Sequence, residues 1–184
     1  VGPEGIGRTR LLREIVVQLR SACSDLRVAE VSLRSRDARC EPFEVLGPIV
    51  SSLLMLGVSP DEKVERERFD LQLDELAANE PALSEAFVVT RLARLTGLES
   101  VGDGGREDPE HAAEAVHVAV AALLRGAAAQ GPVLIVVDDL DTARAHHRLA
   151  LSRLALGLRE CGVLFVFGAT PEYGERDGWS TLEE

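Results

Sequence analysis

The chain is poor in aromatic residues, at 4% of 184 positions, so its core has to be built from Leu, Val, Ala and Ile. Cysteine is scarce as well. Cys23, Cys40 and Cys161 are odd in number and widely spaced, which suits reduced thiols in a cytosol better than a disulfide framework or a zinc site. Basic charge falls far short of acidic charge, 20 residues against 31, leaving a formal net charge of −11. Such a surface repels nucleic-acid phosphates, so direct nucleic-acid contact by this segment is not expected. The longest uncharged apolar stretches fall short of the ~20 residues that cross a bilayer, so no membrane association is expected. The first residues, Val1-Gly2-Pro3-Glu4-Gly5, lack the basic and then apolar stretch of a signal peptide, and a cytoplasmic location is the expectation. The absence of an initiator methionine suggests a fragment, in preference to a start codon translated literally as valine.

Apolar residues at 46% and charged residues at 28% are ordinary for a globular protein. Apolar positions at Leu11, Leu12, Ile15, Val16 and Leu19 recur every three or four residues and predict a helix over Arg8 to Ala22. Alternation predicts a strand over 27–33. A helix is expected from Pro42-Phe43 to Leu56, kinked at Gly47-Pro48. The charged run Asp61 to Asp70 reads as a loop or the solvated start of a helix, and Leu71 to Ala78 and Pro81 to Leu95 as helical. Four glycines in a polar setting mark 97–107 as a mobile loop. Asp108-Pro109 suits the cap and first position of a long Ala-rich helix ending near Gln130. Val133 to Val137 is an unbroken apolar run, the pattern of a strand buried on both faces of a parallel sheet; Val163 to Phe167 repeats it, after a helix over about 145–160. Strands alternating with helices predict a three-layer α/β domain with a parallel sheet.

Three segments carry the chemistry. Gly2-Pro3-Glu4-Gly5-Ile6-Gly7-Arg8-Thr9 has the spacing of a phosphate-binding loop, with arginine where lysine is expected. Glycines allow successive N–H groups to turn onto a phosphate, the helix start adds its positive end, and Thr9 can offer a hydroxyl to Mg²⁺. A Gly-rich turn before a helix has the same look. Asp138 and Asp139 end the strand 133–137; in a phosphate-loop enzyme the first acid helps hold Mg²⁺ and the second polarises the attacking water, although Asp also caps turns at strand ends. Gly168-Ala169-Thr170 ends the next strand, where a polar Thr170 can meet a γ-phosphate. Loop, acidic strand and polar-ended strand, in that order, predict a P-loop NTPase fold. His146-His147 and the pair His111 and His117 read as structural, since neither spacing places two rings on one helix face.

Gly2 to Leu12, GPEGIGRTRLL, resembles the GxxGIGK(S/T)RLL loop of the AAA-like ATPase domains of the STAND class, found in large LuxR-type transcriptional regulators and beside bacterial adenylate cyclase domains. Leu134 to Asp141, LIVVDDLD, looks like their acidic strand, with Thr142-Ala143-Arg144 where Trp-Ala-Asp is usual. Pro42-Phe43 resembles their Pro-aromatic pair. FGATPE, from Phe167 to Glu172, is similar to a segment that commonly carries an arginine where Thr170 stands. The resemblance implies an ATP-binding regulatory module with Gly2, Gly5, Gly7, Arg8, Thr9 and Thr170 at the nucleotide, Thr9 and Asp138 at Mg²⁺ and Asp139 as the catalytic carboxylate. It also implies self-association through the ATPase domain. Arg8 is bulkier than lysine and planar, and with the arginine missing at Thr170 this implies weak hydrolysis at most. A degenerate domain retained as a nucleotide-free interaction scaffold is the alternative. Residues 1–184 are then one partial ATPase domain, its leading and final strands missing, with 57–110 a helical insert of open arrangement. The acidic strand is expected in the middle of the sheet, and an edge at 163–167 is expected to weaken the isolated chain.

Overall fold

The computed structural model describes residues 5–33, 43, 45–99 and 109–171. Gly2, Cys40, Pro42, most of the Gly-rich stretch 97–107 and Asp108 lie outside them. Three strands, β1 (Arg27–Ser32), β2 (Val133–Asp138) and β3 (Val163–Phe167), form a parallel sheet in the order β1-β2-β3, so the acidic strand is the central one. The ladders run from Arg27 opposite Val133 to Ser32 opposite Asp138, and from Val133 opposite Val163 to Val137 opposite Phe167.

The unbroken apolar run of β2 has a direct physical cause. Its six residues are all buried, because side chains alternate between two covered faces. Val133, Ile135 and Val137 enter the larger core with Ala29 and Val31 of β1. Leu134 and Val136 point the other way, onto Leu12 and Val16 of α1 (Arg8–Ala22). The sheet is therefore the middle of three layers, with α1 on one face and the remaining helices on the other.

Those helices are α2 (Gly47–Leu53), α3 (Glu62–Ala77), α4 (Ala86–Leu95), α5 (Pro109–Gln130) and α6 (Ala145–Gly157), with short 3₁₀ turns at Pro81–Ser84 and Leu140–Thr142. By length and composition the stretch His111–Gln130 of α5 is apolar enough to cross a membrane. Here Ala119, Val120, Ala122, Leu123, Leu124 and Ala127 are instead inaccessible in the core, and Arg125 ties the helix to Glu80 at 2.8 Å.

Three expectations change. Pro48 lies at the beginning of α2 and kinks nothing: its fixed φ and missing N–H suit the first turn, where no intrahelical donor is needed. Val45 and Leu46 are buried in the turn ahead of that helix. The charged run 61–70 is the first half of α3 and is not solvated throughout. Asp61 caps it by accepting from the Lys63 N–H at 2.9 Å, while Phe69 and Glu65 are buried. β3 is only partly buried, with Leu164 55% exposed. Among the described residues it pairs with β2 alone, and an edge strand is covered less than a central one.

Glu65 is the buried charge that organises the α2–α3 connection. Its carboxylate accepts from the Ser59 N–H at 2.8 Å and the Gly57 N–H at 2.5 Å, and pairs with Arg68 at 3.1 Å. The backbone bond from Ser59, then that from Gly57, with help from the Arg68 charge, hold its carboxyl below the ordinary value against the opposing effect of burial. A carboxyl lowered in the folded state stabilises the fold above its unfolded value, and that stabilisation disappears as pH falls through the folded value. Glu65→Gln is therefore expected to lower the melting temperature at neutral pH, with the two melting curves converging in acid. Thermal melts across that range check it, and an undiminished gap in acid would contradict it.

Candidate functional site

The carboxyl ends of the strands meet the start of α1 at one rim of the sheet, the place where ligands bind in open parallel sheets. Gly5 (φ +82°) and Gly7 (φ +90°) are both left-handed, a conformation that costs any residue with a Cβ. A Cβ at either would meet nothing within 4 Å, so these glycines are required by backbone shape and not by crowding. Gly7 is the N-cap of α1 and supplies no side-chain cap, and the first turn holds no acidic residue. Among the described residues no side chain caps the first N–H groups of α1, and an uncapped helix start is where an anion binds.

Thr9 and Asp138 meet. The Thr9 hydroxyl donates to Asp138 Oδ2 at 2.5 Å, joining residues 129 apart in the chain. Asp138 is 7% exposed and also accepts from the Asp139 N–H through Oδ1 at 2.9 Å. A cavity of about 200 Å³ opens beside the pair, lined by Thr9, Leu12, Arg13, Glu30, Ser32 and Asp138, among others. A larger apolar cavity of about 360 Å³ lies at the opposite end of the strands, lined by Leu19, Cys23, Leu134, Val163 and Leu164, among others. Its lining is mainly apolar, with Cys23 and Arg159 in it, whereas the smaller cavity is bordered by the Thr9–Asp138 pair.

Asp139 stands in the left-handed region at φ +58° and is as buried as Asp138. Its Oδ2 accepts from the Ser32 hydroxyl at 3.2 Å, so the end of β1 also reaches the site. Arg8 forms an ion pair with Asp141 at 3.6 Å. The same Asp141 Oδ1 accepts from the Thr170 N–H at 3.3 Å. Gly5, Gly7, Arg8, Thr9, Asp138, Asp139 and Thr170 therefore all belong to one rim; Gly2 lies outside the described residues.

Residues that the motif reading passed over complete the arrangement: Ser32, Asp141 and Gly168. Asp141 stood inside LIVVDDLD as a third acid, and Gly168 stood between a strand end and Thr170. Gly168 is held by its N–H to the Val137 carbonyl and by its own carbonyl to the Leu140 N–H, both at 2.8 Å. A Cβ on it would lie 2.5 Å from Asp138 Oδ1 and 3.0 Å from Leu12. Only glycine lets the carboxylate occupy its position.

The two adjacent histidines touch each other edge to face, at 4.2 Å between ring centroids. Among the described residues no group of three or more His, Cys, Asp or Glu side chains is placed to hold a metal ion.

The chain belongs to the family described as AAA ATPase domain, which matches it over residues 1–166. No curated protein matches it, and no solved structure does. The three-layer fold with its parallel sheet is that of a P-loop NTPase.

Gly168→Ala is expected to destabilise the chain by about 1–3 kcal/mol, the range for forcing an extra methyl into a packed site. Gly157→Ala, at the end of α6 where a Cβ meets nothing within 4 Å, is expected to stabilise it slightly, as Ala is the better helix former. Denaturant melts of both variants check the pair. A neutral Gly168→Ala would show that Asp138 can move freely.

Proposed function

We propose that the chain binds Mg·ATP at this rim as the nucleotide-responsive part of a signalling or transcription-regulating protein, and hydrolyses it weakly at most. The observation that carries this reading is the Thr9–Asp138 contact. It brings the last residue of the phosphate-loop motif onto the acid that ends the central strand. A hydroxyl and a carboxylate are hard oxygen donors, the set that Mg²⁺ selects. Thr9 and Asp138 would hold the ion, which when bound would neutralise phosphate charge. The N–H groups at the start of α1, with Gly5 and Gly7, would receive the phosphates, and Gly2 would extend that cradle.

In this reading Asp139 is the carboxylate that orients the attacking water and accepts its proton, as the γ-phosphoryl passes to that water and ADP leaves. Arg8 supplies positive charge, but a planar guanidinium fits less closely between β- and γ-phosphates than a lysine ammonium. Thr170 offers a hydroxyl in place of a second positive charge. Both substitutions favour slow turnover, the property of a module that switches between nucleotide states. The resemblance to the STAND domains of LuxR-type regulators and of cyclase-associated proteins supports the regulatory role, and with it self-association through this domain. The second reading, a scaffold without nucleotide, draws on the ion pair that already engages Arg8.

Titration of the 184-residue chain with Mg·ATP, beside Thr9→Ala and Asp138→Ala, tests the assignment. Each variant is expected to bind at least about tenfold more weakly, a loss of roughly 1.4 kcal/mol. Equal affinity in all three would remove Thr9 and Asp138 from the site, and no binding by any would favour the scaffold. Arg8→Lys is expected to raise the steady-state hydrolysis rate; an unchanged or lower rate would mean that Arg8 suits its place.

A further inference from the structure

Arg8 is placed in a way that phosphate-loop spacing does not anticipate. Its side chain is only 13% exposed, and among the described residues its ionic partner is Asp141 at 3.6 Å. That separation is too long for a hydrogen bond. The buried Nη1 has no hydrogen-bond partner among the described residues. A guanidinium carries five N–H donors in a fixed fork, and leaving one buried and unmade is costly. Arg8 is thus held by charge in a position that leaves its Nη1 without a hydrogen bond among the described residues.

Asp141 is linked to a second element at the same time. The oxygen that faces Arg8, Oδ1, also accepts from the Thr170 N–H at 3.3 Å. Thr170 follows β3, whose last residue pairs with Val137 of β2. One carboxylate oxygen therefore bridges the start of α1 and the chain leaving β3.

From this we infer that Asp141 is a positioning residue that competes with phosphate for Arg8, and that it makes the nucleotide site respond to the γ-phosphate. The inference rests on the reading of this rim as an ATP site. Without a γ-phosphate, Arg8 stays with Asp141 and the segment at Thr170 is tied to the same oxygen. A γ-phosphate offers Arg8 a more highly charged, bidentate acceptor. Arg8 then leaves Asp141, whose own charge repels the newcomer, and the contact that joined the loop to the chain after β3 is broken. The cost of breaking that contact, and the repulsion, fall on ATP. ADP lacks that group; Arg8 meets at most its β-phosphate and can keep Asp141, so both penalties are smaller for ADP.

The distinguishing experiment measures ATP and ADP affinity for the 184-residue chain, Asp141→Asn, Arg8→Ala and the double variant, each first shown to be folded by a cooperative melt. Asp141→Ser removes the same charge and replaces Asn if that variant does not fold. Removal of Asp141 is expected to tighten ATP about fivefold, the scale of one partly screened ion pair. ADP is expected to change by less than about twofold. In the Arg8→Ala background the same removal is expected to leave the ATP affinity close to that of Arg8→Ala alone, the non-additivity that marks two residues acting as one unit. Weaker or unchanged ATP binding in Asp141→Asn would overturn the proposal. So would equal gains for ATP and ADP, or a gain that persists without Arg8, since either would be a general charge effect. If none of the four proteins binds either nucleotide, the ATP-site reading itself fails; binding by the parent chain with any of the preceding results sinks only the role of Asp141.

Discussion

Bringing Thr9 to Asp138 requires most of the molecule to be in place. The hydroxyl sits in the first turn of α1 and the carboxylate at the end of β2, so their 2.5 Å contact depends on how α1 lies across the sheet. Leu12 and Val16 fix that by packing on Leu134 and Val136. The strand end is fixed from the other side, where Gly168 and Leu140 lock β3 and the following turn to Val137. Gly168 has no Cβ to keep Asp138 away from Thr9. A small apolar cluster on one face of the sheet and one glycine beside it thus position a polar pair that neither could hold alone.

The two faces of the sheet do different work. The larger core, formed by α2 to α6 against β1 and β2, buries most of the apolar side chains and carries most of the hydrophobic stabilisation. The face beneath α1 is thinner, yet it carries the site. Glu65, far from the rim, shows how the larger side accommodates charge: two backbone N–H groups and an arginine surround its carboxylate, so burial is compensated by hydrogen bonds.

Charge at the rim is finely divided. Asp138 and Asp139 are buried and Asp141 partly so, with Arg8 placed against Asp141. A triphosphate arriving here without a cation would meet carboxylates as well as N–H groups, and the net charge of −11 adds to the repulsion. In the proposed reading, such a rim favours a nucleotide that brings its own divalent ion. The same closeness makes Arg8 a shared group, claimed by Asp141 before any phosphate arrives.

Much of this was legible in the sequence because it is local. Periodicity of three and four placed α1 at Arg8–Ala22, and continuous apolar runs placed β2 and β3. The glycine spacing and the paired acids marked the rim. Where local reading failed, a neighbour decided: Glu65 looked like one more surface charge in an acidic run until Gly57 and Ser59 folded over it. The start of α2 was misplaced because Pro48 both breaks a helix and begins one. By itself the sequence determined most element types, the glycine loop and the paired acids, since these follow from residue type and spacing along a few turns or strands. Only the tertiary structure decided that Asp141 takes Arg8, that Ser32 reaches Asp139, and that Gly168 must stay bare. Those relations join residues that are distant in the chain, and clearance for a single Cβ depends on where other elements pack, which no local pattern records.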